Sequence, residues 1–131
     1  MGRVLAVDPG EARIGLAISD ESGTIARPLA VLRHSSRDKD AEGIAQRARL
    51  EGAERIVVGI ALDADGSIGP QARRAQRLIE ALRAHTQLPI ETWDESGSTQ
   101  AAARGWRRDA LLDARAAAVI LQEYLDARRT A

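Results

Sequence analysis

Hydrophobic positions change their period several times along the chain. Val4-Leu5-Ala6-Val7 is apolar without interruption and ends on Asp8, the pattern of a central strand covered on both faces. Pro9-Gly10 turns the chain. From Arg13 to Ser19 the pattern alternates, with Ile14, Leu16 and Ile18 on one side and small or polar residues on the other. Glu21-Ser22-Gly23 reads as a turn, and Thr24 to Leu32 as a third strand whose Pro28 assigns it to an edge, since proline cannot donate to a ladder. Ser35 or Ser36 can cap a helix running to about Leu50, with Ile44, Ala45, Ala48 and Leu50 as its inner face and Gly52 as its stop. Arg55 to Ala61 holds the run Ile56-Val57-Val58-Gly59-Ile60, typical of a buried parallel strand. A loop from Asp63 to Gly69 leads to Pro70 at the first position of a second helix, whose buried stripe is Ala75, Leu78, Ile79 and Leu82. Pro89 to Asp94 is a fifth strand and Glu95 to Ser98 a loop. Ser98 or Thr99 caps a short helix through Arg104, and a last helix runs from about Asp109 to Arg128.

Three strands in a meander followed by alternating helices and strands give an α/β protein. Its sheet is mixed and five-stranded, antiparallel over strands 1–3 and parallel over strands 4–5, with flanking helices. The connections are short, which predicts one domain over residues 1–131.

Composition narrows the chemistry. Lys and Arg number 19 and Asp and Glu 19, so the net charge is zero and the totals do not describe a highly basic nucleic-acid binder. Local distribution differs. Arg73, Arg74, Arg77 and Arg83 cluster against Glu80, and Arg104, Arg107 and Arg108 surround Trp106. Each group suits either a solvated face or contact with phosphates. The absence of Cys excludes disulfides and thiolate metal sites. No run reaches the roughly 20 apolar residues of a membrane span, and the N-terminal apolar stretch meets Asp8 too soon for a signal peptide; a cytoplasmic protein with no membrane partner is expected. Trp93, Trp106 and Tyr124 are the whole aromatic complement, too few for a base-stacking platform.

The acids carry the strongest signal. In an α/β sheet ligands gather outside the C-terminal ends of parallel strands. Asp8 ends the first strand, and Asp94 and Glu95 end the fifth. Asp113 shares one helical face with Ala117, Ile120, Leu121 and Tyr124, so it should point at the sheet; Asp109 competes with it one turn earlier. Turn capping or the helix dipole could explain each acid alone. Converging, they suit hard divalent cations, which would reconcile their repulsion, activate a water and stabilise the leaving oxygen of a phosphodiester. His34 and His85 read as surface residues. Asp65-Gly66-Ser67 with Gly69-Pro70 reads as a tight turn into a helix N-terminus able to meet an anion.

Four segments in order resemble the YqgF/RuvX proteins, the Holliday-junction-resolvase-like family also described as pre-16S rRNA nucleases. They are Val7-Asp8-Pro9-Gly10 with Arg13 to Asp20; Ile56-Val57-Val58-Gly59 with Asp65-Gly66-Ser67 and Gly69-Pro70-Gln71-Ala72; Trp93-Asp94-Glu95 with Ser98-Thr99; and Asp113-Ala114 with Ala116 to Gln122. The resemblance implies an RNase H-like fold and Mg²⁺- or Mn²⁺-dependent nuclease chemistry. It carries catalytic and metal-binding roles to Asp8, Glu95 and Asp113, and favours Asp113 over Asp109. The expected substrate is structured nucleic acid, pre-16S rRNA at its 5′ end ahead of branched DNA. Candidate nucleic-acid contacts are Arg13, Arg73, Arg74, Arg77, Arg104, Arg107 and Arg108. Monomer and homodimer stay open. Two positions depart from the family pattern: Ser96-Gly97 stands where Arg-Leu is usual, and Ile60-Ala61 where Leu-Pro is usual. The first motivates a second reading, a catalytically weak RNA-binding factor in ribosome maturation or transcription. A third, a small nucleotide-binding relative of actin-like ATPases, is opposed by the single short domain.

Overall fold

A computed structural model describes residues 2–95 and 110–130. The elements run β1 (Arg3–Pro9), β2 (Arg13–Ser19), β3 (Ala26–Arg33), α1 (Arg37–Glu51), β4 (Ala53–Ile60), α2 (Pro70–Arg83), β5 (Ile90–Asp94) and α3 (Ala110–Thr130). The sheet order is β3-β2-β1-β4-β5. β1 pairs antiparallel with β2, which pairs antiparallel with β3. β4 joins β1 in parallel, and β5 joins β4 in parallel. The expected mixed sheet is therefore present. The short helix expected from Ser98 to Arg104 lies outside the described residues.

Side-chain alternation divides the core into two layers. Leu5, Val7, Ile14, Leu16, Ile18, Ile56 and Val58 pack with Ile44 and Ala48 of α1 and Leu78 and Leu82 of α2. Val4, Ala6, Ala17 and Val57 face the other way, against Ala117, Leu121, Tyr124 and Leu125 of α3. Each fully buried Leu or Ile contributes roughly 1.5–3 kcal/mol, so β1, apolar on both faces, anchors both layers. A residue's parity along β1 thus decides which helices it meets.

Local chemistry sets the element ends. Ser36 caps α1 by accepting from Lys39 N–H at 3.2 Å, and Gly52 ends it at φ 69°, the left-handed region that favours glycine. Pro70 opens α2 as expected. β3 starts at Ala26 rather than Thr24, because the Asp20 carboxylate takes the N–H groups of Thr24 at 2.8 Å and Ile25 at 3.0 Å. These bonds, that from Ile25 first, hold Asp20 at a pKa of about 2. Pro28 lies in an edge strand, opposite Ala17 beside a register shift. Leu50 corrects one expectation: it is 71% exposed instead of facing inward. The α1 stripe closes at Ala48, and Leu50 falls outside the i, i+3, i+4 rows of that face. No helix among the described residues is long and apolar enough to cross a membrane.

Candidate active site

Asp8 follows Val4 and Ala6 in the alternation of β1, so its side chain falls on the face covered by α3. The helix that covers it carries Asp113. Asp8 pairs with Gly15 in the β1–β2 ladder, and a Cβ at Gly15 would lie 2.0 Å from the Asp113 carbonyl oxygen. Glycine is thus what lets the first turn of α3 settle onto β2 beside Asp8. The carboxyls of Asp8, 6% exposed, and Asp113 line one cleft of about 100 Å³ with the Pro9-Gly10-Glu11 turn, Arg13, Gln71 and Arg74.

Glu95 reaches the same face from the other side. Its N–H donates to the Ile60 carbonyl at 3.0 Å, extending the β4–β5 ladder by one residue. Glu91 and Trp93 contact Tyr124 of α3, so the same parity puts Glu95 on the α3 face and Asp94 on the opposite one. A Cβ at Gly59 would lie 3.1 Å from Glu95 Oε2 and 2.9 Å from Ile120 Cδ1. Asp8 therefore sits between strands that each carry a glycine, one making room for Asp113 and the other for the Glu95 carboxylate. Glu95 is only 2% exposed and does not line the Asp8–Asp113 cleft. Among the described residues no three His, Cys, Asp or Glu side chains form a cluster able to hold a metal ion.

Asp113 Oδ2 lies 2.8 Å from Arg13 Nε, yet this buried oxygen accepts no hydrogen bond among the described residues. The attraction is Coulombic, with the guanidinium N–H not aimed at the oxygen. A buried carboxylate oxygen without a donor is unfavourable in an otherwise satisfied fold. The donor set fits a hard divalent cation: carboxylate oxygens, two of them lining one cleft, with one buried oxygen still lacking a hydrogen.

The basic residues divide. Arg13 and Arg74 line the acid cleft, while Arg73 and Arg77 line an adjoining cavity that Arg74 shares. Arg83 is further along α2, beside Glu80 at 3.8 Å. Arg104, Arg107, Arg108 and Trp106 lie outside the described residues, as do Ser96 and Gly97. At the start of α2 the Gly69 cap makes no side-chain hydrogen bond, and Asp63 Oδ1 lies 2.4 Å from where a Gly69 Cβ would be. His34 is 46% exposed but contacts the buried Asp40 at 2.5 Å, and His85 meets Asp38 at 2.8 Å.

Sequence reasoning assigned no task to Gly15 or Gly59. The available signal was a glycine interrupting an apolar strand beside a strand-end acid, which marks a close approach.

The RuvX family profile, described as Holliday junction resolvase, matches residues 2–127. The chain belongs to the RuvX family. A relative from Symbiobacterium thermophilum named "Putative pre-16S rRNA nuclease" is 42% identical, over 96% of this chain and 93% of its own length. A Synechococcus relative of the same name is 43% identical, over 95% of this chain and 84% of its own length. Among solved structures, T. thermophilus RuvC in complex with Holliday junction substrate superposes with a TM-score of 0.61 at 18% identity, covering 99% of this chain and 97% of that one. The fowlpox virus Holliday junction resolvase gives 0.52 at 14% identity, over 95% and 99%. At such identities the likeness concerns the fold: this RuvX chain has the RNase H-like fold of the resolvases.

Proposed function

We propose that this protein is a divalent-metal-dependent nuclease hydrolysing phosphodiesters in structured nucleic acid, with the 5′ end of pre-16S rRNA as its leading substrate and branched DNA as the second. Asp113 Oδ2 carries the reading: a buried oxygen without a hydrogen-bond donor, in the cleft that Asp8 also lines. A buried unsatisfied oxygen calls for an explanation, and a bound cation at a catalytic site supplies one. Asp8 and Asp113 would hold the cation, with Glu95 on the same face as the third acid. Bound there, Mg²⁺ or Mn²⁺ would supply Lewis-acid activation of water and stabilise the leaving oxygen. Arg13 steadies Asp113 from one side. Arg74 and Gln71 at the rim offer donors to a phosphodiester oxygen. The names of the RuvX relatives support the ribosomal substrate.

The test is cleavage of a ribosomal precursor and of a four-way junction with Mn²⁺, by wild type and by Asp8→Asn. Metal-dependent cleavage by wild type, reduced at least about a hundredfold in the variant, is expected. Equal cleavage by the two proteins refutes the assignment.

One observation favours a second reading, a catalytically weak RNA-binding factor. Glu95 is buried, its Oε2 3.1 Å from where a Gly59 Cβ would lie, and it does not line the Asp8–Asp113 cleft. That reading expects salt-sensitive RNA binding, unchanged by Asp8→Asn, with no metal-dependent turnover.

A further inference from the structure

A second cavity, of about 460 Å³, opens beyond the Pro9-Gly10-Glu11 turn. It shares that turn and Arg74 with the acid cleft, but its walls are the first turns of α1 and α2. Arg37, Arg73, Arg74 and Arg77 line it. The carboxylates in its walls are already engaged. Glu11 pairs with Arg74 at 3.3 Å. Asp40, only 6% exposed, accepts from the Ser35 N–H at 3.0 Å and contacts His34 Nδ1 at 2.5 Å. Arg37 and Arg77 make no ion pair among the described residues, and Arg73 gives Nη1 to a neutral acceptor, the Ile68 carbonyl, at 3.1 Å. Four guanidinium groups against the two carboxylates of Glu11 and Asp40 leave net positive charge around one opening. With Nδ1 committed to Asp40, His34 keeps Nε2 for a ligand.

We propose that this cavity is a second phosphate subsite, holding a phosphate of the nucleic-acid strand outside the position between Asp8 and Asp113. Guanidinium forks bind oxyanions bidentately and favour them over neutral ligands, and on a nucleic-acid strand the oxyanion is a phosphate. Because the two openings share the Pro9-Gly10-Glu11 turn, one strand crosses that turn and fills both. The subsite rests on the reading of the protein as one that acts on nucleic acid. It accepts either an internal phosphodiester or a 5′-terminal phosphate.

The experiment is fluorescence anisotropy with one short labelled oligoribonucleotide, made with a 5′-hydroxyl or a 5′-phosphate, in EDTA so that nothing turns over. Proteins compared are wild type, Arg37→Ala, Arg77→Ala and, as a charge control distant from the cavity, Arg129→Ala. All three positions are exposed, so thermal midpoints should stay together. Arg37→Ala and Arg77→Ala should each weaken binding about tenfold, the loss of one charge-assisted contact, and lower the salt slope by about 0.7. Arg129→Ala should change affinity less than about twofold. A wild-type preference for the 5′-phosphate that disappears in Arg77→Ala identifies a terminal phosphate; equal binding of both oligonucleotides identifies an internal one. Unchanged affinity in both cavity variants, or an equal loss in Arg129→Ala, overturns the proposal. Because binding is read without metal, the subsite stands or falls separately from cleavage.

Discussion

At the C-terminal end of α3, Glu91 is surrounded by Tyr124, whose hydroxyl donates to it, by Arg55 at 2.9 Å and by Arg128 at 3.6 Å. At the N-terminal end of the same helix, Asp113 keeps a buried oxygen that accepts no hydrogen bond among the described residues. Both carboxylates join α3 to the sheet, and their surroundings differ in kind. Every neighbour of Glu91 lowers its free energy in the folded state, so the cluster fastens α3 to edge strand β5. Asp113 is held by the Gly15 contact of its backbone and by one cation, Arg13 at 2.8 Å, and its buried oxygen still lacks a hydrogen-bond donor among the described residues. Under the proposed function a bound cation completes Asp113, whereas Glu91, surrounded by donors, serves stability.

The contrast breaks most visibly at Asp113. Asp113→Asn should lower metal-dependent cleavage by roughly a thousandfold or more, the several kcal/mol of charge stabilisation assigned to the metal site, while the thermal midpoint stays level or rises. A large loss of stability would make Asp113 another Glu91 and remove the reason for placing a cation beside it.

Next in size is the glycine pair. Gly15→Ala drives a Cβ into the backbone carbonyl of Asp113, which cannot move without shifting α3. A cost of about 1–3 kcal/mol is expected by denaturant melt, with reduced cleavage. Gly59→Ala meets only the ends of the Ile120 and Glu95 side chains, at 2.9 and 3.1 Å. It should cost under about 1.5 kcal/mol and affect cleavage more than stability. Equal destabilisation by both would mean that Gly59 serves packing alone.

How much of this was legible in the sequence follows from the range of the forces involved. β1, β2, α1, α2 and α3 were readable because alternation, helical stripes, Ser36, Gly52 and Pro70 are local signals. The inward direction of Asp113 was readable for the same reason, through its shared face with Ala117 and Tyr124. The start of β3 was not, since it depends on Asp20 capturing two N–H groups across a turn. Nor were the tasks of Gly15 and Gly59, because a missing Cβ acquires meaning only when another element arrives. The His34–Asp40 contact was hidden similarly: His34 was read as surface, and its partner lies in the first turn of the following helix. Choosing Glu95 over Asp94 needed family resemblance at the sequence level, whereas in the fold strand parity alone separates them.

At the other end of α3, Tyr124→Phe removes the hydroxyl that donates to Glu91 but leaves Arg55 and Arg128 beside the carboxylate. The expected cost is about 1 kcal/mol, with cleavage unchanged. A loss of cleavage comparable to that of Asp113→Asn would show that the two ends of the helix are coupled.

The smallest effect is a pH dependence confined to the Glu91 end. The Tyr124 hydroxyl, then the Arg55 guanidinium, hold Glu91 below the ordinary glutamate value of 4.5. Its contribution to stability is full above pH 4.5 and is lost as pH falls through the lowered folded value. Tyr124 is pushed above its ordinary 10.0, first by burial and then by Glu91, so its contribution is full below pH 10 and is lost as pH rises through the raised value. Glu91 is 39% exposed at its side chain, so solvent screening keeps the acid limb below about 1 kcal/mol. Tyr124→Phe should remove the alkaline limb entirely and shrink the acid limb, because it deletes the larger cause of the Glu91 shift. Chemical melts of wild type and variant from pH 3 to pH 11 read both limbs at once. Two parallel curves would mean that Tyr124 holds α3 through its ring alone, edge-on to Trp93 at 6.0 Å, and that the Glu91 end owes its stability to packing rather than to the paired charge.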